Sequence, residues 1–285
     1  MKVGVVYPQI ELGGDPDAVR RIGVATEELG YDHLLVYDHV VGAQHADRDP
    51  ELWGPYVDTD PFHDPFVMFG LLAGLTERIE LVTGVIILPQ RQTALVAKQC
   101  TDIDLFSGER LRLGVGSGWN YVEYEALGQD FASRGPRLDE QIELLRRYWS
   151  EDLFSFEGTF DRIDRGNINL RPRRQIPIWL GGFSEPAFRR AGRLGDGFIY
   201  AGHGDHVADG KKRVEHHLAE AGRGDVEFGH DLIMLRDKNI DAHVRTAEQW
   251  RELGGTHVSV VTMGIGLDST EAHLDYIGQF KAALG

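Results

Sequence analysis

Short apolar runs alternate with amphipathic stretches along nearly the whole chain. Val3–Val6 is a continuous apolar segment; Val19, Ile22, Ala25 and Leu29 then recur at helical spacing, and Gly30 closes that helix. His33–Val36 predicts a second strand. Asp64 caps a helix that carries Pro65 in its first turn and an apolar stripe at Val67, Leu71 and Leu75. Glu80–Leu88 predicts a third strand. Val96, Cys100, Ile103 and Phe106 mark the next helix, which ends at Gly108, and Leu111–Val115 predicts a fourth strand.

The rhythm breaks after that strand. A short helix over about Asn120–Gly128 is followed by a long one with Leu138, Ile142, Leu145 and Trp149 on one face, and Ser155–Arg174 reads as an irregular or hairpin-like, charge-rich insertion. The alternation then resumes. Ile176–Leu180, Gly197–Tyr200, Phe228–Leu235 and Val258–Thr262 predict four more strands. Helices follow from Ser184, over about His206–Ala221, over Asp241–Leu253, and around Leu274, Ile277 and Phe280.

Eight strands, each followed by a helix, predict a (β/α)₈ (TIM) barrel spanning residues 1–285 as one domain, with an insertion at about 120–174. The continuous apolar strands suit a parallel sheet buried on both faces. A doubly wound open sheet is the alternative, although it usually has about five or six strands.

In such barrels the chemistry sits at the C-terminal ends of the strands. That rule selects Asp38 and His39 after strand two, Gly84 and Val85 late in strand three, Gly116, Ser117, Gly118 and Trp119 after strand four, and Gly181, Gly182, Phe183 and Ser184 after strand five. Glycines at alternate positions let a ligand approach the backbone and let N–H groups cradle an anion. Ser184 at a helix start adds a candidate N-cap and the positive end of a helix dipole. Each glycine-rich strand end also reads as an ordinary tight turn; two on adjacent strands favour one shared phosphate-bearing ligand. A histidine at position 39 can transfer a proton near neutral pH, whereas away from a strand end Asp38-His39 would be a solvated loop pair.

Composition narrows the classes. A net charge of −15 disfavours nucleic acid and anionic membrane surfaces as partners. An anion must then be met by backbone N–H groups and a few arginines, with Arg110, Arg112, Arg137, Arg171, Arg173 and Arg174 as candidates. The lone Cys100 excludes an intramolecular disulfide and falls on an apolar stripe as a core residue. The N-terminus has no signal-peptide pattern and no apolar run approaches a membrane span, so a cytoplasmic protein is expected. The twelve histidines form no metal signature; His203-Gly204-Asp205-His206 reads as a polar rim, and no metal is expected.

Several stretches together resemble the luciferase-like monooxygenase superfamily, in particular its branch dependent on the deazaflavin coenzyme F420. They are 81–91 (LVTGVIILPQR), 104–110 (DLFSGER), 113–119 (LGVGSGW), 137–140 (RLDE), 177–182 (PIWLGG) and 190–198 (RAGRLGDGF). The resemblance implies a TIM-type barrel, usually dimeric, that binds a flavin or deazaflavin at the C-terminal face and acts on a small organic substrate. It also implies an Asp-His pair after strand two, matched by Asp38-His39, with Asp38 helping to hold the cofactor and His39 as the acid/base group. A bulge with a non-prolyl cis peptide behind the ring is implied at Gly84-Val85, and phosphate contacts are implied at Gly116–Trp119 and Gly181–Ser184. Members that oxidise sugar phosphates carry a glutamate directly after the strand-four glycines. Trp119 stands there instead, which argues against a sugar phosphate. The expected function is hydride transfer between the deazaflavin and a small organic substrate. An FMN-dependent monooxygenase and a non-catalytic flavin-binding barrel are the alternatives.

Overall fold

The computed structural model describes residues 1–235 and 239–285. The barrel strands are β1 (Lys2–Val6), β2 (His33–Val36), β3 (Glu80–Thr83) continued by β4 (Ile86–Ile87), β5 (Leu111–Gly116), β8 (Ile178–Gly181), β9 (Gly197–Gly202), β10 (Gly229–Met234) and β11 (His257–Val261). The remaining strands, β6 (Phe154–Glu157) and β7 (Arg162–Gly166), pair antiparallel as a separate hairpin. All barrel pairings are parallel, and the ring closes through β1–β11 and β3–β5. Strand three is split because the chain leaves its ladder at Gly84-Val85, where the peptide bond is cis, in agreement with the expectation at that position.

The helices are α1 (Pro16–Glu28), α2 (Pro65–Ala73), α3 (Thr93–Ser107), α4 (Tyr121–Ala126), α5 (Arg134–Ser150), α6 (Glu185–Leu194), α7 (Gly204–Glu220), α8 (Ile240–Glu252) and α9 (Thr270–Leu284). Between β5 and β8 lie α4, α5 and the β6–β7 hairpin. The expected stripe of α5 is buried throughout, and α5 packs on α3, so it fills a place in the helix ring.

Three stripes read from the sequence are displaced. On α2 the buried residues are Phe66, Met68, Phe69 and Leu72, while Val67, Leu71 and Leu75 face outward. Pro65–Ala73 contains no charged or hydrogen-bonding side chain, so its pattern has no phase to read. On α3 Phe106 is exposed although Val96, Cys100 and Ile103 are buried; Thr101 and Asp104 take the inner face. On α1 the inward residue after Ile22 is Thr26, whose hydroxyl donates to the Ile22 carbonyl (2.7 Å), and Leu29 is outside.

The larger apolar core lies between the sheet and its helices, and a smaller cluster of Val6, Leu35, Val82, Trp179, Ile199, Ile233, Val261 and Met263 fills the barrel. Beneath it, toward the strand starts, lies a buried polar layer. Arg112 Nη1 donates to Asp231 (3.1 Å), His33 Nε2 meets Ser259 Oγ (2.7 Å), Ser259 donates to Asp231 (3.1 Å), and the Arg112 guanidinium lies 4.2 Å from the Trp179 ring. Arg112 is therefore a floor residue and not an anion contact. Arg110 binds the carbonyls of Ile79 and Thr76, and Arg174 pairs with Asp104.

Two buried histidines, His230 and His273, and the half-buried His257 are expected to make the fold acid-sensitive. Burial, with Arg112 beside it, lowers His257 to about 3; burial lowers His230 and His273 to about 4 each. An unfolded histidine titrates near ~6.5, so between that pH and the folded values the unfolded chain binds more protons. Stability is thus expected to be flat above about pH 6.5 and to fall toward pH 4, by up to ~1.4 kcal/mol per histidine per pH unit. Urea unfolding at pH 7.5, 6 and 5 checks this; an unchanged midpoint would contradict it.

Candidate active site

A cavity of about 1070 Å³ opens at the C-terminal end of the barrel. Its wall contains the strand-end residues singled out from the sequence, Asp38, His39, Gly84, Val85, Gly116, Ser117, Gly118, Trp119, Gly181, Gly182, Phe183 and Ser184, and none of the six candidate arginines. Closure of the sheet makes this possible, because register pairing brings the ends of β2, β3–β4, β5 and β8 side by side.

One side of the cavity is built of backbone. Val85, raised by the break in strand three, wedges between Gly116 and Gly181: a Cβ on either would fall 2.7–2.8 Å from a Val85 methyl. Neither position has room for a side chain. Gly118 (φ 63°) and Gly182 (φ 146°) adopt left-handed backbone that favours glycine. The next turn leads into α6, whose first helical N–H groups have no partner within the helix by geometry. Ser184 is the N-cap residue, but its hydroxyl makes no capping bond; its carbonyl accepts from Ala187 N–H (2.9 Å). Ser184 is therefore an N-cap by position and not by side chain.

The opposite side carries ionisable groups. Asp38 is buried, and its carboxylate is engaged within the protein: Arg91 Nη2 donates to Oδ1 (2.7 Å) and Ile87 N–H to Oδ2 (3.0 Å). Arg91 also donates to Asp64 (3.1 Å), which caps α2 through Phe66 N–H (2.9 Å). Burial pushes the Asp38 carboxyl up, and Arg91 pulls against it. The Asp38 side chain thus braces the bulge after β3 while lining the cavity.

His39 sits in an aromatic box. The rings of Phe62, Tyr56 and Trp119 lie 4.9, 5.3 and 5.6 Å from its own, centre to centre. Trp119 also packs on Gly54, where a Cβ would fall within 2.4 Å of the indole. Tyr56, Phe62 and Gly54 come from the long connection between β2 and α2, to which the hydrophobic periodicity assigns no element. Periodicity also did not single out Glu123 on α4. Glu123 is buried and stands with Oε2 3.6 Å from His39 Nδ1. Burial works to raise its carboxyl, but the neighbouring His39 ring and hydrogen bonds from Val41 N–H and Gln90 outweigh it and hold the group below the usual carboxylate range.

A profile of the luciferase-like monooxygenase family matches residues 1–276. The chain belongs to this family. It is 33% identical over 184 residues to an F420-dependent glucose-6-phosphate dehydrogenase of Intrasporangium calvum, covering 62% of this chain and 51% of that protein. It is 28% identical over 255 residues to an FMNH(2)-dependent dimethylsulfone monooxygenase of Pseudomonas putida, covering 86% of this chain and 65–66% of such relatives. The chain thus spans about half to two thirds of the length of these curated relatives. Among solved structures, an F420-dependent secondary alcohol dehydrogenase in complex with an F420-acetone adduct superposes with a TM-score of 0.80 at 15% identity, covering 100% of this chain and 99% of that one. At that identity the match supports the luciferase-like barrel fold alone.

The cavity of this luciferase-like chain fits a flavin-type cofactor on its own geometry. Cavities for small ligands and cofactors usually measure ~300–1,000 Å³, so this one has room for a tricyclic ring system and a small substrate. The two glycine-rich turns, one of which leads into α6, suit a phosphate.

Proposed function

We propose that this protein is an oxidoreductase that uses the deazaflavin coenzyme F420 and a small, neutral organic substrate carrying a hydroxyl or carbonyl group. When bound, the deazaflavin supplies a two-electron hydride acceptor or donor. The observation that carries the reading is His39 at the end of β2, in the wall of the cavity that the glycine turns also line, with the rings of Tyr56, Phe62 and Trp119 packed around it.

Gly116–Gly118 and Gly181–Ser184 would hold the phosphate end. Gly84 and Val85 would support the ring, and Asp38 would brace that support through Ile87 and Arg91. His39 takes the hydroxyl proton in the oxidative direction and returns it in the reductive one; near neutral pH an imidazole serves both roles. The substrate is read as neutral because the charged lining residues are engaged elsewhere. Asp38 binds Arg91, Arg190 binds Asp139 and the Gly135 carbonyl, and Arg134 binds the Phe131 carbonyl and lies 3.8 Å from the Phe131 ring. The wall along β10 and β11 is Ile233, Leu235, Val261 and Met263.

Fluorescence-quench titrations with coenzyme F420 and with FMN test the cofactor. We expect binding of the deazaflavin to be at least about tenfold tighter, a difference of ~1.4 kcal/mol. Equal or tighter FMN binding would favour a flavin monooxygenase. Neutral secondary alcohols should reduce the bound deazaflavin and glucose 6-phosphate should not; the reverse order would overturn the substrate class.

We also propose that the chain pairs as a homodimer through the outer face of α2 and α3. Val67 (74% exposed), Leu71, Leu75, Leu95 and Phe106 (72%) stand in water there, and α2 has no polar face to offer. Sedimentation velocity should give twice the 31.9 kDa chain mass, and a Val67→Glu/Phe106→Glu double variant should give one chain. A monomeric wild type at micromolar concentration would exclude the pairing.

A further inference from the structure

A proton-transferring histidine must present the correct ring nitrogen, and in this fold a carboxylate from a different element controls that choice. We propose that Glu123 is a positioning residue: it holds the His39 ring by its Nδ1–H, so that Nε2 faces the cavity as the proton-accepting atom. The inference rests on the reading of His39 as the acid/base group.

Glu123 is itself fixed before it can fix anything else. Asn120 caps α4 by accepting from Val122 N–H (3.1 Å) and Glu123 N–H (3.3 Å), and its amide donates to the Val41 carbonyl (3.1 Å). Glu123 Oε1 accepts from the N–H groups of Val40 (2.5 Å) and Val41 (2.9 Å), the two residues that follow His39. Oε2 accepts from Gln90 Nε2 (3.0 Å) and faces His39 Nδ1 at 3.6 Å. One carboxylate thus grips the backbone beside the histidine with one oxygen and addresses its ring with the other. The 3.6 Å separation is an ion-pair distance, and such contacts tighten when a site closes on its substrate. An ionised acceptor beside Nδ1 favours the tautomer protonated there and steadies the ring when it gains a second proton. The other titratable side chains beside His39 are Tyr56, whose ring packs edge-on at 5.3 Å, and its chain neighbour Asp38, whose charge is met by Arg91.

A purely structural role for Glu123, clamping the chain after β2, is the competing account. Glu123→Gln separates the two. Its carbonyl oxygen can still accept from Val40 and Val41. Its new NH₂ can donate to Gln90 Oε1, which has no partner among the described residues, if the Gln90 amide turns over. Toward His39, however, it offers a donor in place of an acceptor.

The experiment is ¹⁵N-histidine NMR across pH 5–9 on the full chain, wild type and Glu123→Gln, with melting curves as the fold control. Wild-type His39 should be the Nδ1–H tautomer when neutral. In Glu123→Gln it should change to Nε2–H. Deazaflavin reduction by 2-propanol should drop by about 10²–10⁴-fold in kcat, with KM and cofactor affinity within a few-fold. An Nε2–H tautomer in the wild type overturns the proposal even if the variant does not fold. So does a folded Glu123→Gln that keeps the wild-type tautomer. The NMR signals need no cofactor: if they change as expected while no deazaflavin-linked turnover is found, the orienting role stands and the proposed function falls.

Discussion

His39→Ala is expected to lower deazaflavin-linked turnover by about 10²–10⁴-fold, the range for loss of an acid/base group. Cofactor affinity should change by no more than a few-fold, because the phosphate cradle lies on β5 and β8 and not on β2. The variant should stay folded: His39 touches Tyr56, Phe62 and Trp119 at the rim of the cavity and belongs to neither apolar core. Single-turnover measurement with a neutral secondary alcohol reads the hydride step directly. A wild-type rate for that step in His39→Ala would move proton transfer to another group, and Tyr56 would be the first to examine.

Gly182→Val should reverse that pattern, with cofactor affinity falling steeply. Its φ of 146° is one that β-branched residues avoid, and the added Cβ would stand 2.9 Å from the Ala187 Cβ. The turn must shift, and the N–H groups at the start of α6 shift with it. Losing one hydrogen bond to a charged group costs ~1.5–3 kcal/mol, so affinity should drop by at least about tenfold. Ser184→Ala should be far milder, because the Ser184 hydroxyl makes no capping bond to lose. Fluorescence titration of both variants, with circular dichroism as the fold control, checks the pair. An unchanged affinity in a folded Gly182→Val protein would place the phosphate elsewhere.

The strands and their ends were legible because they depend on local pattern. A strand buried on both faces must be continuously apolar, and a turn that brings backbone to a ligand must be glycine-rich, so β5 and β8 announce both their position and their open ends. The orientation of α2 was not legible. A stripe can be read only against polar positions, and PFVMFGLLA has none. The sheet chose Phe66, Met68, Phe69 and Leu72 for its own side, which left Val67, Leu71 and Leu75 outside. Arg112 misled for a related reason. An arginine within an apolar strand looks like an exposed charge, and only closure of the barrel brings Asp231, 119 residues away, to meet it.

Local pattern by itself therefore determined the eightfold βα rhythm, the glycine turns and the place of His39. These follow from backbone sterics and the side-chain period within a few residues. Tertiary structure alone decided what those residues face. Closure set Val85 between Gly116 and Gly181, paired the Asp38 carboxylate with Arg91, and placed Glu123 against His39 across 84 positions of chain. Hydrogen bonds and ion pairs act over about 3–4 Å of space whatever the separation in sequence, so their partners exist only once the ring of strands has closed.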